Sequence, residues 1–292
     1  MDTNGVSEKN NGAKLSLHSL GSLFNGAWAL YKTRWGVLSE IVLLPVLVTI
    51  LGYVLIGLGF PFSVFGGVAI LIGWIIFVFS ALPVVYSVHH ATGVDESYKV
   101  TIGWFWPFVW VSILEILAVA GGTIMLIVPG IWLGIAFSFM AYVFVIEGRK
   151  GIDALRQSKN YVKGYWWPVL GRVILLGIIL VVISAIVQLP FSLLFGKTVS
   201  SIVSIGLILF FVPFSSIYSY LIFQNLRELK PHLVGEQTKK GTGFIKVSAI
   251  VGLVVPIILV AGVIILAAVG TFHMFERAGS YTPPPGYGAQ GH

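Results

Sequence analysis

Long apolar runs separated by short polar segments fill the chain from residue 36 to residue 270. A helix of about 20 apolar residues covers the roughly 30 Å of bilayer hydrocarbon, and the runs at 36–59 and 65–88 have that length. The run from Trp104 to Ile146 is too long for one crossing and must reverse. Val128-Pro129-Gly130 offers the turn, because proline ends a helix and glycine permits a reversal; Gly121–Gly122 is a weaker alternative. Spans are therefore expected at 105–128 and 131–147, then at 166–189, 199–224 and 245–270. Seven spans with short connections predict an all-α fold, a polytopic transmembrane helical bundle. A transmembrane barrel would show ten-residue segments of alternating polarity instead.

Two shorter stretches carry a helical stripe. Leu20, Leu23, Phe24, Ala27 and Tyr31 share one helix face, and Ile152, Leu155 and Val162 do so beside Arg156, Lys159 and Lys163. Two readings stand for each: an interfacial helix on anionic lipid, or a helix docked against the bundle.

The pattern also repeats. "RWGVLSEIVLL" (34–44) and "WWPVLGRVILL" (166–176) align without gaps, and "FWPFVWVSILE" (105–115) is a fainter third copy. Each places a tryptophan, at 35, 106 or 167, before an apolar span, as expected of a residue held at headgroup level. The reading is three repeated hairpins plus one extra span, with interfacial helices.

Composition agrees. Of 292 residues, 57% are hydrophobic and only 10% charged, against roughly 25% charged in soluble domains. Cysteine is absent, which excludes disulfides and thiolate metal sites. The net charge of +7 resolves into topology rather than nucleic-acid binding. Lys9, Lys14, Lys32 and Arg34 precede span one, and Lys99 follows span two. Arg149, Lys150, Arg156, Lys159 and Lys163 follow span four, and Arg227, Lys230, Lys239, Lys240 and Lys246 follow span six. With seven spans these fifteen of the eighteen basic residues share one face. The bias places the N-terminus in the cytoplasm and the C-terminus outside a plasma membrane. No cleavable leader is expected. Residues 1–14 read as a disordered N-terminus, 15–228 as a six-span membrane domain, 229–244 as a cytoplasmic linker, 245–270 as the seventh span and 271–292 as a disordered extracytoplasmic tail.

The stretch 128–171 resembles the membrane domain fused to some glycerophosphodiester phosphodiesterases and found alone in prokaryotic multi-pass proteins. The matching features are Pro129–Gly130, Glu147–Gly148, Ala154–Leu155, Ser158, Gly164 and Trp166–Trp167, and residues 23–38 look like the domain's opening helix. The resemblance covers roughly residues 15–228 and implies the fold. It implies no catalysis, since nothing in this chain corresponds to the phosphodiesterase barrel, and the last span departs from the pattern.

Few residues suggest chemistry. "FGKTVS" (195–200) ends like a phosphate-binding loop but has Phe191 where that loop needs glycine. His89–His90 point about 100° apart on a helix, which suits an interfacial polar cap better than a metal clasp. Gly130, Gly134 and Ser138 form a small stripe suited to close helix packing, with Pro129 at the turn, and Pro213 and Pro256 read as kinks. Three ionisable side chains lie inside the spans: Glu40, Glu115 and Arg172. Arg172 either snorkels to the headgroups or pairs with Glu40, its counterpart in the repeat. Glu115 is deepest, and serves either as a structural hydrogen-bonding group or as part of a transport path.

The expected function is a non-enzymatic integral membrane protein in membrane organisation, lipid handling or partner anchoring. A small transporter or channel-like protein using Glu115 is the alternative, with a membrane-embedded enzyme third. The expected partners are membrane lipids, through anionic headgroups at the cytoplasmic face, with a protein partner or a second copy left open. No cofactor, metal or nucleic acid is expected.

Overall fold

The computed structural model describes residues 17–235 and 242–279, and no strand occurs among them. The helices are α1 (Leu20–Gly57), α2 (Phe62–Phe79), α3 (Ala81–His90), α4 (Val94–Thr101), α5 (Phe105–Met125), α6 (Ile127–Phe137), α7 (Met140–Glu147) and α8 (Ile152–Val162). A further helical run turns back at Gly196, whose φ of 77° needs glycine, giving α9 (Trp166–Gly196) and α10 (Val199–Leu229). The last helix is α11 (Gly243–Gly279). Seven helical segments among the described residues are long and apolar enough to cross a membrane, with α2–α3, α4–α5 and α6–α7 each forming one. The chain is a multi-pass integral membrane protein.

The helices form two compact units. The first contains the described residues to Glu115 and from Trp132 to Thr242, and the second contains 116–131 and 243–279. The first unit is built around α1 and α10. Ser19 caps α1 by accepting from Ser22 N at 3.2 Å. Leu23, Ala27 and Tyr31 are buried, and the Tyr31 ring packs against Phe210 and Phe214 of α10. The first amphipathic stretch is thus the opening of a long membrane helix and not a separate surface helix. Nothing between Tyr31 and Trp35 breaks the helix, and its apolar face has α10 to cover it.

Prolines inside α1 and α10 remove backbone donors, and hydroxyls replace them. Pro45 strips the donor from the Ile41 carbonyl, which accepts from Tyr98 Oη at 3.0 Å. Pro213 does the same to Leu209, whose carbonyl accepts from Ser39 Oγ at 3.3 Å. In hydrocarbon no water would satisfy these carbonyls, so such replacements hold the irregular backbone in place.

Close helix approach in the first unit uses glycines other than those expected. A Cβ on Gly52 would meet Gly66 O at 2.8 Å, and one on Gly73 would meet Thr49 Oγ1 at 2.3 Å. These residues seat α1 on α2 at backbone distance. In the second unit Gly121 and Gly252 do the same for α5 and α11, where a Cβ on Gly252 would meet Leu117 O at 2.0 Å.

Helix α8 lies docked, with Ala154, Leu155, Gln157, Ser158, Tyr161 and Val162 buried. Between α6 and α7 the helix is interrupted, and Ser158 repairs the gap. Its Oγ donates to Ala136 O at 2.8 Å and accepts from Phe139 N at 3.2 Å.

Several boundaries differ from expectation. The reversal between the third and fourth spans falls at Leu126, not at 128–130, and Pro129 sits in the first turn of α6. Proline is tolerated there because its missing N–H would have no helical acceptor. Helix α11 continues past residue 270 to Gly279, since Thr271–Arg277 contains no helix breaker. Residues 1–14 and 280–292, expected to be disordered, lie outside the described residues, as does 236–241 of the linker.

Candidate anion-binding cavity

The structure does not bring the intramembrane ionisable residues together. Arg172 donates to the carbonyls of His18 at 2.7 Å, Leu17 at 3.4 Å and Pro168 at 2.9 Å. Leu17 and His18 precede the α1 cap, so their carbonyls have no helical donor. Glu40 is exposed and makes no ion pair among the described residues. About 30 Å of α1 separates Glu40 from the helix start where Arg172 binds, so the expected Glu40–Arg172 pairing does not form. Glu115 is half-buried on α5.

Gly130 approaches Thr123, where an added Cβ would lie 2.8 Å from its Cα, but a Cβ on Gly134 would meet nothing within 4 Å. The close packing expected at Gly134 is absent, because the stripe turns away from any neighbour after its first residue. His89 Nδ1 lies 3.0 Å from Tyr220 Oη, which also accepts from Gln224 Nε2 at 2.6 Å. His90 bonds Tyr86 O on its own helix. No group of three metal-ligating side chains occurs among the described residues.

The strongest concentration of charge lies where α7, α8 and α10 end or begin. Helix α7 ends at Glu147, and the connection to α8 is Gly148-Arg149-Lys150-Gly151. Both glycines adopt positive φ, 65° and 59°, which a residue with a Cβ rarely does. These left-handed corners push Arg149 and Lys150 out of the helical path and over a cavity of about 500 Å³. Asp153 and Arg156 of α8, Arg227 of α10, and Val234–Gly235 complete its wall.

Glu147 organises the wall. Its side chain is only 5% exposed. Oε2 accepts from Arg149 Nε at 3.1 Å, Oε1 accepts from Tyr161 Oη at 2.5 Å, and Arg227 Nε lies 3.9 Å from Oε1. Burial, followed by the hydrogen bond to Glu147, raises the Tyr161 phenol far above its ordinary range, so it stays a donor. Arg156 pairs with Asp153 one turn back on α8. The described lining thus holds Arg149, Lys150, Arg156 and Arg227 against Glu147 and Asp153, leaving a net charge of +2.

A second layer fixes α8 beneath this wall. Lys230 Nζ donates to the carbonyls of Asn160, Tyr161 and Lys163 at 2.7, 2.9 and 2.5 Å, which are the orphan acceptors at the α8 C-terminus. Burial and the neighbouring Lys163 charge lower its ammonium to about 8. Gln157 Nε2 donates to Leu233 O at 2.7 Å. Lys159 stands 5.3 Å from the Trp132 ring centre, with its pKa lowered by burial and then by Lys163.

Arrangements of this kind bind anions: several guanidinium groups face a concave surface, and a buried carboxylate holds them in place. In sequence these basic residues read as topology signals and, for Arg156, as part of a helix facing anionic lipid; nothing there gathers them around one cavity. The overlooked signal was the pair of glycines bracketing Arg149–Lys150, followed by Asp153 and Arg156 at helical spacing.

No family model, curated protein or solved structure matches the chain.

Proposed function

We propose that this is a plasma-membrane protein, N-terminus in the cytoplasm and C-terminus outside, that binds anionic lipid headgroups without a catalytic step of its own. Its role lies in lipid handling, membrane organisation or partner anchoring. The observation that carries the reading is the cavity bearing Arg149, Lys150, Arg156 and Arg227, on the end that the basic residues assign to the cytoplasm. Anionic lipids of the cytoplasmic leaflet favour such clusters by about 1 kcal/mol per basic residue. Trp35, Trp106 and Trp167 are 59%, 77% and 75% exposed, near the starts of the apolar runs at 36–59, 105–128 and 166–189, as suits rings resting among headgroups.

The test is native mass spectrometry of the intact protein from nanodiscs of mixed anionic and zwitterionic lipid. Retention of anionic lipid above its bulk fraction is expected, and retention in proportion to bulk composition would overturn the reading. Cysteine replacing Asn10 should resist an impermeant thiol reagent in intact cells, while cysteine replacing Pro285 should react. The opposite pattern would reverse the orientation.

One observation favours a second reading. Glu115 is half-buried within a span and makes no hydrogen bond or ion pair among the described residues, so a transport path through it keeps a physical basis.

A further inference from the structure

We infer that the cavity selects a phosphomonoester dianion over a phosphodiester; this rests on the lipid-binding reading above and names the ligand chemistry of that site.

The argument begins with which cations the fold already uses. Arg149 is bound to Glu147, and Arg156 to Asp153. Arg227 touches Glu147 only through Nε at 3.9 Å, too long for a hydrogen bond. Among the described residues it makes no hydrogen bond. Lys150 is exposed and makes neither a hydrogen bond nor an ion pair among the described residues. Two cations on the wall, one planar fork and one ammonium, therefore keep their donors for a ligand. Their combined charge equals the net +2 of the described lining.

A phosphodiester carries one negative charge and two unesterified oxygens. A phosphomonoester carries about −1.5 to −2 at neutral pH and three strong acceptor oxygens. Only the monoester matches Lys150 together with Arg227, whose guanidinium makes no hydrogen bond among the described residues, and balances the net charge of the described lining. A volume of about 500 Å³ falls within the range of pockets for small organic ligands. It therefore admits a phosphate carried on a larger group. Glu147 adds discrimination. Held rigidly by Tyr161 and Arg149, it repels any anion that does not gain enough from Arg227 and Lys150 to offset its charge.

Two sources share this chemistry: a lipid such as phosphatidic acid, and a soluble phosphomonoester such as glycerol phosphate. The experiment measures binding of the full-length protein in nanodiscs to each, with phosphatidylglycerol as the phosphodiester lipid. Phosphatidic acid should be retained about ten-fold more strongly than phosphatidylglycerol, the worth of one charge-assisted hydrogen bond. Lys150→Gln, at an exposed residue the fold does not use, should remove most of that preference. Lys99→Gln, outside the cavity, should not. Arg227→Gln should act like Lys150→Gln if it remains folded.

Equal retention of both lipids would overturn the phosphomonoester inference and leave the lipid reading standing. Equal binding of glycerol phosphate and phosphatidic acid, both sensitive to Lys150→Gln, would keep the phosphomonoester chemistry and overturn the lipid reading. Binding of no anion, or a preference unchanged in Lys150→Gln, would overturn the inference.

Discussion

The Tyr98 hydroxyl donates to the Ile41 carbonyl at 3.0 Å, across 57 residues of sequence. Pro45 has taken that carbonyl's helical donor, so the bond ties α4 to a defect in α1. Tyr98→Phe should leave the carbonyl unsatisfied and lower stability by about 1–3 kcal/mol. Pro45→Ala in the same chain restores the backbone donor and should recover most of the loss. Thermal unfolding in detergent measures both, and a Tyr98→Phe loss that Pro45→Ala does not reduce would break the proposed link.

The glycines between α1 and α2 give a sharper contrast. A Cβ on Gly66 would sit 2.6 Å from the Gly52 carbonyl oxygen, an immovable backbone atom, whereas one on Gly67 would meet nothing within 4 Å. Gly66→Ala should destabilise by about 1–3 kcal/mol through forced helix separation. Gly67→Ala should change stability by no more than about 0.5 kcal/mol. Equal effects in a detergent unfolding assay would mean that α1 and α2 do not pack through these residues.

Why the spans were legible in the sequence and the cavity was not follows from what determines each. Hydrocarbon thickness dictates span length, so 199–224 and 65–88 could be located by counting apolar residues. The break between Phe137 and Met140 depends on a distant partner, as Ser158 shows by completing the α6–α7 gap. No local pattern announces that. Arg172 and Glu40 occupy matching repeat positions, yet the free carbonyls of Leu17 and His18 outcompete a carboxylate some 30 Å of helix away. The cavity residues Arg149, Lys150, Arg156 and Arg227 were ambiguous for another reason: in sequence a basic residue that marks one side of the membrane looks the same as one that lines a concave surface. Only the folded positions of Gly148 and Gly151 separate the two uses.

Lys230 provides a pH test. Its ammonium titrates at about 8 in the fold and at about 10.4 in an unfolded chain. Between those values the unfolded chain holds a proton that the folded protein has released. Stability therefore rises with pH across that window and is lowest below pH 8 as far as this group is concerned. Lys230→Met should lose this part of the slope in melting temperature between pH 8 and 10. An unchanged slope would assign the dependence to other groups.

Glu115 separates anchoring from transport. Its side chain is half-buried on α5 and has no hydrogen bond or ion pair among the described residues, so no folded interaction is lost when its charge is removed. Glu115→Gln keeps size and shape and should alter stability by no more than about 0.5 kcal/mol. With the fold preserved, flux becomes the deciding measurement. A lipid-binding protein should show the same proton leak in proteoliposomes with glutamate or glutamine at this position. If wild-type protein conducts and the variant does not, Glu115 lines a path, and transport replaces lipid binding as the primary activity. If the variant unfolds, Glu115 has a partner in the membrane-embedded protein, and neither reading of it as a lone carboxyl survives. The expected outcome is an intact fold with unchanged leak, because Glu115 makes no interaction among the described residues for the variant to remove, and the proposed binding lies at the cavity of Glu147 and Arg227.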